Sequence, residues 1–395
     1  MRILHTSDWH VGRRFERESL EADQRAFLGW LAEEVDQRGV DLVIVAGDVY
    51  DRSLPAEDAV AILDDGLDAL RAAGAVVAMI PGNHDSARRL GFGARRQALG
   101  GVHLFADDQH PPVPWVLEAA GDAVAIVAVP FLDPLTVPPP APAADGAPRA
   151  RTHGNVLADA VRAGREAIEA MGREVASLPA IAVAHANVAG ATQSDSEKML
   201  AIGGADAVSA EVFAGFDYAA LGHLHRPQDV SGSDRIAYAG SPLPYSFSED
   251  HPKSVRLIDV SGGEVRSVSR VQVPVGRPVV TLEGTLDQLL SDPRLDAFCE
   301  HWVAASLFDT ATQLQPLERL RRRFPRAVSL RYAPSAAGGV LAGAGLSPGG
   351  IELGARAAED VVLEFLAEVT GRPPEPWARE LVLDALGSAR AGGRA

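Results

Sequence analysis

Asp8 and His10 stand two residues apart in "LHTSDWHVG", directly after an apolar start. Four later stretches have the same character. "GDVYD" holds Asp48 and Asp51, "GNHD" holds Asn83, His84 and Asp85, "AHA" holds His185, and "GHLH" holds His223 and His225. Five of the eleven histidines of the chain, His10, His84, His185, His223 and His225, fall at these strand ends. Carboxylate oxygen together with imidazole nitrogen suits divalent transition metals such as manganese, iron or zinc. The single cysteine, Cys299, has no chemically suggestive neighbours and reads as packing. A cysteine-type structural zinc site is therefore excluded. Seven candidate ligands are too many for one tetrahedral ion. They suit two ions about 3.5–4 Å apart that share a bridging carboxylate.

Each stretch alone has a plain structural explanation. A D-x-H pair is common. "GDVYD" can be a strand-end turn with a helix cap, and Asn-His-Asp is good turn chemistry. A single histidine at the end of a buried strand is usually a hydrogen-bonded core residue. The joint pattern decides: five elements in order, each after an apolar strand, point to one dinuclear site.

The elements that must position these groups can be read from hydrophobic periodicity. "MRILHTS" reads as a strand and "LEADQRAFLGWLAEEVDQRG" as a helix, with Leu20, Phe27, Leu28, Leu31 and Val35 on one face. "DLVIVAGD" and "AVVAMIPGNHD" are near-continuous apolar runs, as in strands covered on both faces, separated by the helical "AEDAVAILDDGLDALRAAG". This alternation indicates a layered α/β domain with parallel strands. In such sheets, sites form beyond the carboxyl ends of strands, where Asp8, Asp48 and Asn83 lie. "VHLFA", "VPWVLEA" and "AVAIVAVPF" predict further strands, and "DPLTVPPPAPAADGAPRA" a surface loop. A helix over "NVLADAVRAGREAIEAM" follows. Then come strands ending on His185 and at Gly222, and closing strands "RIAYAGSPLPYSF", "SVRLIDV" and "EVRSVSRVQV".

Composition shifts near Val275 into a strand-helix-strand-helix-strand module. The predicted organisation is a main domain over 1–274, a small α+β domain over 275–335, a Gly/Ala linker over 336–352 and two helices within 353–388. Val361, Val362, Phe365 and Val369, then Leu381 and Leu386, fall at helical spacing, which suits a docking face for another protein.

Hydrophobic content of 47% and charged content of 23% are those of a soluble globular protein. No apolar run is long enough to span a membrane, and the start is too short for a signal peptide. One cysteine fits a reducing cytoplasm. The net charge of −16 argues against nucleic acid binding on its own. Metal ions or a basic partner subunit would answer that objection.

In this order D-x-H, G-D-x-x-D, G-N-H-D, H and G-H-x-H resemble the calcineurin-like metallophosphoesterase superfamily. "LHTSDWHVGR", "IVAGDVYDRSLP", "PGNHDS", "QSDSE", "DYAALGHLHRPQ" and "YAGSPLPYSFSE" narrow the resemblance to the SbcD-type bacterial nuclease subunits. "RPVVTLEGTLDQLL" and "EFLAEVTGRPP" extend it over nearly the whole chain. The resemblance implies a layered β-sandwich core flanked by helices, with a capping domain that helps align DNA. It implies one metal on Asp8, His10, Asp48 and His225, and a second on Asp48, Asn83, His185 and His223, with Asp48 bridging. Both ions would be Mn²⁺. His84 would be the catalytic histidine, and Asp85 could orient its ring. At Asp51 some relatives carry a second catalytic histidine, and the aspartate here puts that role in doubt.

The implied activity is exo- and endonucleolytic phosphodiester hydrolysis in DNA repair and recombination. It would take place on DNA ends and hairpins, in the cytoplasm and associated with the nucleoid. The implied partners are DNA and an SbcC-type coiled-coil ATPase, with a homodimer of this chain inside a heterotetramer. Arg13–Arg14, Arg88–Arg89, Arg95–Arg96 and "RLRRRF" (Arg319 to Phe324) are candidate phosphate contacts or solvated faces. Two other readings compete: a phosphoesterase acting on a small phosphodiester or a phosphoprotein, and an inactive scaffold.

Overall fold

The computed structural model describes residues 1–143, 145–198 and 207–333, with five further positions beyond them. The predicted linker lies outside the described residues, as do the predicted C-terminal helices apart from those five positions. Residues 1–334 form one compact unit.

Two six-stranded sheets pack face to face. The first runs 264–272, 254–261, 2–6, 42–46, 76–80 and 102–104 across its width. The second runs 228–230, 233–238, 218–222, 180–185, 122–129 and 115–119. Their inner strands are parallel. Arg2–Thr6 pairs with Leu42–Ala46, which pairs with Val76–Ile80. Ala180–His185 pairs with Tyr218–Gly222, placing His185 opposite Gly222. Parallel pairing brings the carboxyl ends of all five strands to one edge of the molecule.

The apolar runs are continuous because both faces of each sheet are covered. Ile3, Ile44, Ala46 and Ile80 pack inward against Ile126, Ile181, Val183 and Ala220 of the other sheet. The alternate residues Leu4, Val43, Val45 and Met79 face the helices Glu21–Arg38 and Glu57–Ala72 through Leu28, Leu31, Ile62 and Leu63. Val127, Ala182 and Leu221 likewise pack on Leu157 and Val161 of the helix His153–Ala170. The result is helix, sheet, sheet and helix in four layers. The proline-rich stretch before His153 carries no regular element among the described residues. The strand predicted over "RIAYAGSPLPYSF" ends at Tyr238, and the rest of it runs as a loop.

Val279–Gly284, Trp302–Leu307 and Ala327–Tyr332 form a separate three-stranded sheet, entirely parallel. Two short helices join them, the first fixed by a Thr285–Gln288 capping box. Leu286, Leu320 and Phe324 fill its own core, and Cys299 packs at the edge of that core. No helix among the described residues is long and apolar enough to cross a membrane.

The two large sheets approach each other tightly at the functional edge. A Cβ placed on Gly222 would sit 1.8 Å from the carbonyl oxygen of Ala46 and 2.9 Å from Nδ1 of His185. Only glycine lets the sheets approach this closely. Gly222→Ala is expected to destabilise the protein by ~3 kcal/mol, as overpacking does. The midpoint of urea unfolding reads this directly.

Candidate metal centre

Each parallel strand ends and the backbone turns at once. Backbone pairing continues past the strand ends: Asp8 N–H donates to Gly47 O at 3.0 Å and His10 N–H to Asp48 O at 2.9 Å. These loops carry strain. Among the described residues, eight non-glycine residues have positive φ, and Asp8 (53°), His10 (42°), Asp48 (48°) and His223 (105°) are four of them. Such conformations cost of order ~1–3 kcal/mol each and collect at functional sites.

The structure brings together all seven expected ligands. The Asp48 carboxylate lies at the middle. Its Oδ1 accepts the backbone N–H of His84 at 2.9 Å. Its Oδ2 lies 3.5 Å from His10 Nε2 and 3.4 Å from His185 Nε2. On one side His10 Nε2 and His225 Nε2 face each other at 3.2 Å, and Asp8 has a carboxylate oxygen within reach of both. On the other side Asn83 Oδ1 lies 3.0 Å from His185 Nε2 and 3.1 Å from His223 Nδ1. Asp8 also groups with Asp48 and His185, so it borders both clusters.

Burial sets the charge states. Asp8, His10, Asp48, His185 and His225 are at most 1% exposed. Burial pushes His10 well below the usual histidine range, despite the nearby Asp48. Burial, aided by His185, lowers His223 to about 3. Both rings therefore present lone pairs, the form a metal needs. Burial raises Asp8 to about 6 against the pull of His185 and His225. For Asp48 burial works upward, but His185 and His10 outweigh it and hold the carboxyl well below its ordinary range. Burial alone would lower His185, yet Asp48 outweighs it and raises the imidazole to about 9.

The donor set fits divalent cations. Two imidazole nitrogens 3.2 Å apart, with carboxylate oxygens beside them, leave lone pairs converging where a cation can sit. His84 lies at the rim of this arrangement. Its Nδ1 bonds the carbonyl oxygen of Asp51 at 2.8 Å. Its buried Nε2 has no hydrogen-bond partner among the described residues and lies 4.0 Å from Asp48 Oδ2.

Residues 1–227 match the Calcineurin-like phosphoesterase family. The SbcD chain of the SbcCD nuclease of Escherichia coli K12 is 34% identical over 288 residues, covering 72% of each chain. Its namesake from Bacillus subtilis 168 is 32% identical over 341 residues, 84% of this chain and 85% of its own. The one from Rhodobacter capsulatus is 35% identical over 303 residues, 71% of each. The chain belongs to the calcineurin-like phosphoesterases, in the SbcD branch. This phosphoesterase fold, with its buried donor clusters, makes it a hydrolase that uses divalent metal ions.

Some expected contacts differ. Asp85 does not bond the ring of His84. Its carboxylate accepts the backbone N–H groups of Val49, Tyr50 and Gly82, at 3.0, 2.9 and 2.9 Å. Asp85 thus ties the Asp48 loop to the Asn83 loop, and the Asp51 carbonyl orients His84 instead. Asp51 directs its own carboxylate to Arg13, 3.6 Å away. Arg13 in turn lies over the ring of Tyr245, 4.7 Å from its centroid.

The other arginines divide. Arg88, Arg95 and Arg96 are exposed, and Arg89, also exposed, donates to the carbonyl of Ser53. Arg319, Arg321 and Arg323 of the small module are engaged by Asp287, by the Ala327 carbonyl, and by the Leu289 carbonyl with Asp296. Sequence reasoning assigned no role to Ser7, Glu197, Tyr245, Glu249 or Lys253. Ser7 Oγ donates to Asp8 Oδ2 at 2.6 Å, and the Tyr245 hydroxyl donates to the Trp9 carbonyl at 2.6 Å. For Glu197, Tyr245 and Glu249 the signal lies in "QSDSE" and "PYSFSE", which lack metal-ligand spacing.

Proposed function

We propose that the chain is the nuclease subunit of an SbcCD-type, ATP-driven complex that hydrolyses DNA phosphodiesters at ends and hairpins. In this reading Asp8, His10, Asp48 and His225 hold one Mn²⁺, and Asp48, Asn83, His185 and His223 hold the other. Cations held there would supply Lewis acidity to the phosphate and to an attacking water near neutral pH. The observation that carries the reading is Asp48 Oδ2, placed 3.5 and 3.4 Å from histidines of two different clusters.

The chain's own groups do the rest. Asp48 Oδ1 fixes the His84 backbone, and the Asp51 carbonyl fixes its ring by accepting from Nδ1. Nε2 then lies 4.0 Å from Asp48 Oδ2, beside both donor clusters, where it can carry a proton to the leaving oxygen. Asp85 holds two ligand loops in register through three backbone N–H groups. Arg13, half-buried beside Asp51, is the arginine best placed to meet a phosphate at the rim.

DNA and an SbcC-type ATPase are the proposed partners, with two copies of this chain per complex. Residues 275–335 would cap the nuclease site, and 353–388 would dock the ATPase, whose surface answers the acidic net charge. The setting would be the cytoplasm, at the nucleoid. The test is a nuclease assay with and without the ATPase. Chelation by EDTA is expected to abolish cleavage, and added Mn²⁺ to restore it. Hydrolysis of bis-nitrophenyl phosphate with DNA left intact, partner present, would instead favour the small-phosphoester reading.

A further inference from the structure

Behind His225 lies a buried polar chain that no ligand assignment uses. His225 Nδ1 contacts Ser196 Oγ at 2.8 Å and Glu249 Oε1 at 3.3 Å. Ser196 Oγ donates to Glu249 Oε1 at 2.8 Å. Glu249 Oε2 takes Lys253 Nζ at 2.6 Å and the Ser241 hydroxyl at 3.3 Å. Lys253 Nζ also donates to the His225 carbonyl at 3.2 Å and to Ser241 Oγ at 2.9 Å. Glu197 accepts the His225 backbone N–H. Glu249, Glu197 and Ser241 are at most 2% exposed, and Lys253 is 7% exposed.

Donor and acceptor chemistry gives this chain one direction. An ammonium group only donates, and an ionised carboxylate only accepts. Glu249 Oε1 can only accept, so the Ser196 proton goes to it at 2.8 Å, Ser194 Oγ donates to Ser196 Oγ from 3.0 Å, and the Ser196 hydroxyl meets His225 through a lone pair. Both neighbours of Nδ1 are then acceptors, and Nδ1 must carry the ring proton. Nε2 is left as a bare lone pair, directed at His10 Nε2 3.2 Å away. Carboxylates that take the remote N–H of a metal-bound histidine fix its tautomer and raise its basicity.

We infer that Glu249, clamped by Lys253, is a positioning residue that selects the metal-binding tautomer of His225, with Ser196 as its relay. "QSDSE" and "YSFSE" thereby gain a shared purpose: Ser196 of the first meets Glu249 of the second, 53 residues on. The inference rests on the reading of His225 as a ligand to one of two ions.

The test titrates Mn²⁺ alone into the full chain by calorimetry, with bound Mn²⁺ counted by electron paramagnetic resonance. Wild type is expected to bind two ions. Glu249→Gln keeps the shape but can offer an amide N–H to Nδ1, which would put the proton on Nε2. It is expected to weaken one ion by about 10- to 100-fold and leave the other unchanged. Raised Mn²⁺ should then restore its nuclease activity. Ser196→Ala, a milder change at a half-buried position, is expected to weaken the same ion about threefold. It decides the matter if Glu249→Gln does not fold. Equal weakening of both ions, or an unchanged Ser196→Ala isotherm, would overturn the inference. A wild type that binds no Mn²⁺ would instead overturn the ligand reading beneath it.

Discussion

Asp48→Asn is expected to cut Mn²⁺-dependent DNA cleavage by at least ~10³-fold, about 4 kcal/mol of barrier, while the protein stays folded. The geometry explains both halves. Asp48 Oδ1 accepts the His84 N–H at 2.9 Å, and an asparagine oxygen can keep that bond. Oδ2 faces His10 and His185 at 3.5 and 3.4 Å, and there the substitution removes a negative charge shared by both clusters. An amide nitrogen in that place has no lone pair to offer a cation. Steady-state cleavage with saturating Mn²⁺, beside a thermal melt, checks the two halves separately. A variant with near wild-type cleavage would mean that Asp48 does not bridge.

His84→Ala is expected to lower kcat by about 10²–10⁴-fold, the usual worth of a positioned proton donor or acceptor. KM for DNA and the number of bound Mn²⁺ ions should not change. The ring lies beside the clusters: Nε2 is 4.0 Å from Asp48 Oδ2, and Nδ1 is spent on the Asp51 carbonyl. Removing it leaves Asp48, His10 and His185 in place. The split between kcat and metal count separates this role from that of a ligand. Loss of one Mn²⁺ in His84→Ala would make His84 a ligand and remove the assignment.

The strand-end ligands were legible because a buried parallel strand is apolar to its last residue. One Asp, Asn or His at such an end has an ordinary structural explanation, but five such ends in order share none except a common site. The helix spacing of Phe27, Leu28, Leu31 and Val35 was equally plain, and those residues pack on the first sheet. Other features could not be read. Asp85 follows His84 directly, so a pairing of the two side chains looked natural. Its three backbone partners, on two loops, become visible only once those loops meet. Nothing in the spacing of Glu249 and Lys253 marks them as buried or paired. They are buried because the loop after Tyr238 runs back beneath His225, a path that no periodicity encodes. The left-handed backbone at Asp8, His10 and Asp48 was hidden for a related reason: glycine advertises positive φ, and these residues do not.

The central claim is that side chains from Asp8 to His225 close around two cations that share Asp48. Crystals of the full chain soaked in Mn²⁺ and measured at the manganese absorption edge test it most directly. The account predicts two anomalous peaks flanking the Asp48 carboxylate, one among Asp8, His10 and His225 and the other among Asn83, His185 and His223. A single peak away from Asp48, or none at these residues, would contradict it.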